Sequence, residues 1–188
     1  MITVTPVNLF MCAADLIWSQ VFRKFPNLKI ALSEGGIGWI PYFLDRIDFT
    51  YQHHKAWTHQ DFGDKLPSQV FHEHIITCFI DDPTGLKLID DVGLDMVTWE
   101  CDYPHSDSLW PDAPEVVLAE LQNAGCSDAE MNKITWENTC RWFEYDAFAH
   151  IAKEDATVGA LRELSPDVDT ATHSRKEWAE MYETRVAG

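Results

Sequence analysis

The chain has 188 residues, 46% apolar and 12% aromatic, which is enough to bury a core and excludes disorder throughout. Its 14 Lys and Arg against 31 Asp and Glu give a formal charge of −17, a surface that repels phosphate backbones and anionic lipid and so excludes nucleic acid as a default partner. No run approaches the ~18 apolar residues of a membrane helix. The five dispersed cysteines (Cys12, Cys78, Cys101, Cys126 and Cys140), with no Cys-x-x-Cys and no secretory leader, predict reduced thiols in a cytoplasmic protein.

In chain order, Leu16, Ile17, Val21 and Phe22 space a helix over Ala13 to Phe25, closed by Pro26. Leu28 to Leu32 reads as a strand entering the loop Ser33-Glu34-Gly35-Gly36. Pro41 suits the first turn of a helix from Tyr42 to about Trp57, with Phe43, Leu44, Ile47 and Tyr51 on one side. A polar stretch with Gly63 and Pro67 precedes a second strand, Ile75 to Ile80, that stops at Asp81-Asp82-Pro83. Asp82 and Pro83 are an N-cap and first-turn pair for a helix through Val92, ended by Gly93. Met96 to Cys101 is the third strand. Pro114 opens a helix to Ala124 that Gly125 terminates, and Ser127 and Glu130 have capping-box spacing for a helix toward Phe143. From about Ala156 the pattern weakens into a charged tail in which Trp178 and Tyr182 have the spacing to dock a last short helix.

Alternating strands and helices imply parallel strands with helices outside them. Such folds do their chemistry at the C-terminal ends of strands, which singles out Asp102, immediately after the third strand. Alone, Asp102-Tyr103-Pro104 also reads as an aspartate opening a turn. His72 and His74, spaced to share one face of a strand, fall at its N-terminal end, away from such a site. His53, His54 and His59 read as a solvated helix face. Trp39, Trp99, Trp110 and Trp136 read first as core packing and second as pocket walls. No nucleophilic-serine motif, P-loop or dinucleotide fingerprint is present.

Three segments, in order, resemble the amidohydrolase-related metal-dependent hydrolases, in the branch that contains aminocarboxymuconate-semialdehyde decarboxylase. The first is Phe25-Pro26-Asn27-Leu28-Lys29-Ile30 with Ser33-Glu34-Gly35-Gly36-Ile37-Gly38-Trp39-Ile40-Pro41. The others are Asp102-Tyr103-Pro104-His105 and Asn138-Thr139-Cys140-Arg141-Trp142-Phe143. The resemblance spans about Thr5 to Asp146. It implies an α/β fold, the C-terminal portion (about strands 6 to 8) of a TIM (β/α)8 barrel, incomplete and followed by a helical C-terminal tail. Residues 1–155 would be the partial barrel and residues 156–188 the tail.

By the same resemblance, Asp102 is the catalytic aspartate ending strand eight, which binds the metal and helps activate water. A divalent metal with an open position lowers the pKa of bound water, and a neighbouring carboxylate can take the proton. Glu34, a second catalytic candidate, stands where better-known members carry a histidine. Two readings are open for it: a ligand or proton carrier, or a carboxylate held by the amides of the Gly35-Gly36 turn. His105 is a candidate for binding a substrate carboxylate or shuttling a proton, beside the plainer reading of a loop histidine.

The family's metal-binding histidines of strands one and five are not in this sequence. The chain therefore looks like the C-terminal part of a longer protein, expected to pair with a second copy or a missing N-terminal half. The expected function is metal-dependent hydrolysis of a small organic substrate, with zinc or manganese in the complete family enzyme. The alternatives are non-oxidative decarboxylation at the same site, or a catalytically silent half-barrel interaction subunit holding no metal.

Overall fold

The computed structural model describes residues 2–171 and 173–187, with residues 2 and 184–187 described by their backbone alone. Helix α1 (Thr5–Trp18) begins with Pro6 in its first turn and buries Ala13 and Ile17, one turn apart. The single helix expected over Ala13 to Phe25 breaks after Trp18. The Ser19 hydroxyl donates to the Leu16 carbonyl at 2.8 Å and accepts the Val21 N–H at 3.2 Å. A serine serving both flanking backbones competes with the helical ladder, and the chain restarts as α2 (Val21–Lys24) with Phe22 buried.

Strand β1 (Ile30–Leu32) starts later than expected because both backbone groups of Leu28 are already used. The N–H closes a turn on the Phe25 carbonyl at 2.9 Å, and the carbonyl accepts His74 Nδ1 at 2.7 Å. Helix α3 (Ile40–Thr58) buries Phe43, Leu44, Ile47 and Tyr51, the side chains that its periodicity assigns to one face, and ends at His59 in a left-handed conformation.

The polar stretch after α3 contains a further helix, α4 (Pro67–His74). Its start is held by side chains: Gln69 accepts the Leu66 N–H at 2.7 Å, and Asp48 of α3 accepts the Ser68 N–H at 2.9 Å and its hydroxyl at 2.6 Å. So short a helix, partly capped from 20 residues away, leaves little periodic signal. His72 and His74 therefore stand on a helix rather than a strand. His74 is buried and stacked on Phe22, with ring centroids 4.4 Å apart.

Strand β2 (Ile75–Phe79) is buried at every position, as a parallel strand covered on both faces should be. It pairs in parallel with β1 (Ile30 to Ile75, Leu32 to Thr77) and with β3 (Val97–Trp99; Thr77 to Val97, Phe79 to Trp99). Among the described residues the sheet order is β1-β2-β3. The helix expected from Asp82 to Val92 divides into α5 (Pro83–Leu86) and α6 (Ile89–Val92), where the Leu88 N–H closes a tighter turn on the Gly85 carbonyl at 3.0 Å.

Helix α7 (Ala113–Asn123) follows β3. Ser127 and Glu130 form the expected capping box of α8 (Asp128–Asn132), which runs through a π-helical turn at Lys133–Glu137 into α9 (Asn138–Trp142). Buried Asn138 ties α9 to β3, its amide donating to the Leu94 and Val97 carbonyls at 2.8 Å each.

In the tail, α10 (Val158–Leu164) is held to α7 by Arg162, which grips both oxygens of Glu115 at 2.6 and 3.1 Å. Helix α11 (Arg175–Ala187) forms, but Trp178 and Tyr182 remain 46% and 70% exposed instead of docking. The core gathers Phe43, Phe71 and Phe79 between the sheet and its helices, each side chain contributing about 1.5–3 kcal/mol on burial. No described helix is long and apolar enough to cross a membrane.

Candidate metal centre

Three loops leave the C-terminal ends of β1, β2 and β3 and meet in one cavity. The β1 loop runs from Ser33 to Gly38 and is held from both sides. At its start, Glu34 is left-handed (φ 62°) and its N–H donates to Glu100 Oε1, on the β3 loop, at 2.8 Å. At its end, the Ile37 and Gly38 N–H groups both donate to Asp82 Oδ2, at 2.7 and 2.8 Å. Asp82 Oδ1 meanwhile accepts the Gly85 N–H at 2.7 Å, which is the predicted N-cap bond of α5.

Two glycines permit this approach. Gly36 has φ 63°, and a Cβ there would lie 2.9 Å from Asp82 Oδ2. A Cβ on Gly85 would stand 2.3 Å from Ile37 Cγ1 and 2.8 Å from the Gly38 nitrogen. The Asp82 carboxylate thus ties down the end of the loop through the amides of Ile37 and Gly38.

On the third loop, the Glu100 N–H reaches the Phe79 carbonyl at 3.0 Å and extends the ladder one residue past β3. Asp102 then turns into the left-handed region (φ 57°), leaving its side chain only 10% exposed. His105 closes the turn, its N–H on the Asp102 carbonyl at 2.9 Å and its Nδ1 2.7 Å from Asp102 Oδ1. The hydrogen bond that His105 makes to Asp102, then the charges of Asp102 and Glu34, raise the His105 pKa above its ordinary value.

The structure brings all three predicted site residues together: Glu34, Asp102 and His105 each offer one ligand atom within 4.8 Å of the others. They line a cavity of about 710 Å³ with Trp39, Asp81 and, from the start of α1, Pro6. Two carboxylates and an imidazole are a donor set suited to a divalent cation, and a histidine bonded through Nδ1 to a carboxylate keeps Nε2 free for a ligand.

Of the other histidines, His74 faces the opposite end of β2, while His53 and His59 are exposed on and after α3. Trp39 is a pocket wall, held by its Nε1–H to the Gly35 and Gly36 carbonyls at 3.1 Å each. Trp136 packs on Phe148, and Trp110 lies against Tyr103. The sequence reading misses Glu100 and the larger role of Asp82. The Asp-Pro pair signals only the N-cap bond, because partners 44 and 45 residues away leave no local trace.

The described chain is thus a parallel α/β fold with a candidate cation-donor cluster at the ends of its strands. The sequence profile of the Amidohydrolase family matches residues 10–144, and the chain belongs to that family. Solved structures are similar to it, three among them as follows. 5-Carboxyvanillate decarboxylase LigW from Sphingomonas paucimobilis is 24% identical with a TM-score of 0.57, over 71% of this chain and 39% of its own. An amidohydrolase from Mycobacterium avium subsp. paratuberculosis K-10 is 21% identical with a TM-score of 0.57, over 69% and 32%. A dihydroxybenzoic acid decarboxylase from Polaromonas sp. JS666, with bound manganese and the inhibitor 2-nitroresorcinol, is 26% identical with a TM-score of 0.53, over 72% and 39%. The chain thus spans less than two fifths of each of these proteins. No curated protein matches it.

Proposed function

We propose that this chain carries part of the active site of a metal-dependent enzyme that removes a carboxyl group from a small aromatic acid without oxidation. The single observation that carries this reading is the convergence of Glu34, Asp102 and His105 in one cavity at the ends of parallel strands. Decarboxylation is favoured by two of the similar structures that are decarboxylases, one of which holds manganese. Hydrolysis at the same site is the second reading, favoured by the family match and by the third structure.

In this proposal β1, β2 and β3 are the sixth to eighth strands of an eight-stranded βα barrel, within residues 1–155, and residues 156–188 form a tail outside it. Three strands of eight agree with the 39% of the decarboxylase chains that is covered. The remaining strands would come from a further part of the protein or from a partner chain.

Glu34, Asp102 and His105 would hold the ion, with manganese the first choice. When bound, it supplies positive charge that orients an anionic substrate and stabilises charge developing on it. The protein's own groups do the rest. Asp102 fixes the His105 ring by its Nδ1. Trp39 gives the aromatic substrate an apolar wall. As the carbon–carboxylate bond breaks, its electron pair stays on the substrate carbon, which takes a proton from water in the cavity in place of carbon dioxide.

The test is manganese binding by the purified chain, followed by carbon dioxide release from hydroxylated benzoates in the complete assembly. Tight binding and release support the proposal. Less than about a tenth of an equivalent of bound manganese, zinc or other divalent ion points instead to a silent interaction subunit. Hydrolysis of amides without carbon dioxide release selects the second reading.

A further inference from the structure

Behind the cavity wall lies a carboxyl group outside the donor cluster. Glu120 sits on the inward side of α7, beside buried Val117 and Leu121. Its Oε1 accepts the Asp82 N–H at 2.8 Å, while its Oε2 is buried with no donor in reach. Two carboxylates act on it, Asp81 on the cavity wall and Asp82. A proton on Oε2 removes the charge from the buried, unpartnered oxygen and leaves Oε1 free to hold Asp82.

We propose that Glu120 is a positioning residue for the candidate metal centre, fixing through Asp82 the glycine-rich loop that carries Glu34. The connection is continuous: Glu120 holds the Asp82 backbone, the Asp82 carboxylate holds the amides of Ile37 and Gly38, and these close the loop begun at Glu34. Burial, then the neighbouring Asp81 and Asp82 charges, push the Glu120 carboxyl up to about 7, against the pull of the Asp82 N–H. Asp81 and Asp82, both on the loop after β2, are the charged groups that act on it. Ionisation of Glu120 sets three negative charges side by side and loosens the loop. The inference rests on Glu34, Asp102 and His105 being cation ligands.

The experiment uses the whole chain with Mn2+ as the probe and follows amide exchange at Ile37 and Gly38. Glu120→Gln keeps an acceptor for Asp82, so its Mn2+ affinity should stay within about twofold of wild type; Glu120→Leu loses it and should bind at least about tenfold more weakly. Exchange at Ile37 and Gly38 should quicken in Glu120→Leu while Ile76 and Thr77 of β2 stay protected, which separates loop loosening from unfolding.

A second comparison involves no disruptive substitution. From about pH 6 to about pH 8, protection of these two amides, corrected for intrinsic exchange, should fall in wild type and stay flat in Glu120→Gln. Parallel pH curves, wild-type affinity in Glu120→Leu, or equal losses in both variants would overturn the role of Glu120. Absence of Mn2+ binding in wild type itself would instead overturn the metal centre on which it rests.

Discussion

His105 Nδ1 lies 2.7 Å from Asp102 Oδ1, within a turn that the His105 N–H closes on the Asp102 carbonyl. A single residue thus supplies both the backbone anchor and the charge partner of the imidazole. The aspartate is nearly covered and the histidine mostly open, with side chains 10% and 70% exposed, so the pair presents a fixed carboxylate and an oriented ring to the cavity.

Removing the charge from this pair should release the ring. In Asp102→Asn the largest cause of the raised His105 pKa is lost, and its titration, followed by NMR, should fall back toward the ordinary value of 6.5. Mn2+ affinity should drop by about 10- to 100-fold in the same variant. An unchanged imidazole titration would remove Asp102 as its partner.

Asp82 is expected to matter more to stability than its place at a helix start suggests. It accepts three backbone N–H groups from two segments of chain. Asparagine would turn an amide NH2 toward one set of donors, and Asp82→Asn should cost roughly 2–4 kcal/mol in urea unfolding. A loss below about 0.5 kcal/mol, the level of an ordinary surface change, would show that the loop does not depend on it.

Gly85 tests the closeness of the β1 and β2 loops. A methyl group there would meet Ile37 Cγ1 at 2.3 Å and Asp82 Oδ2 at 2.7 Å. Gly85→Ala should therefore destabilise by about 1–3 kcal/mol through overpacking, although alanine is the better helix former. Thermal unfolding at equal or higher temperature than wild type would contradict the packing described.

Glu120 should leave a signature in the pH dependence of stability. Its carboxyl rises from 4.5 to about 7 on folding, so between these values the folded state holds a proton that the unfolded chain releases. Its contribution is complete below pH 4.5 and is lost as pH rises through about 7. Relative to Glu120→Gln, wild type should lose stability across that interval; a pH-independent difference between the two would exclude the shift.

Much of this fold is legible in the chain because its signals are local. The apolar side of α3, the Ser127 capping box and the β-branched run of β2 each depend on neighbours within a few residues. The breaks at Ser19 and Leu88, and the whole of α4, are less legible because single hydrogen bonds decide them against the periodic pattern. The Trp178 and Tyr182 pair shows the converse: helical spacing is written in the sequence, but a surface to receive it is not.

The order of residues by itself determined an acidic α/β chain of alternating strands and helices, and placed Glu34 and Asp102 just beyond strand ends. Only the tertiary structure decided that these two, 68 positions apart, share a cavity with His105, because parallel pairing through β2 carries the β1 and β3 loops to the same edge of the sheet. It also decided the work of Asp82, Glu100 and Glu120. Each is an ordinary carboxylate in sequence, and each acquires its role from backbone amides that only the folded chain brings within hydrogen-bonding distance.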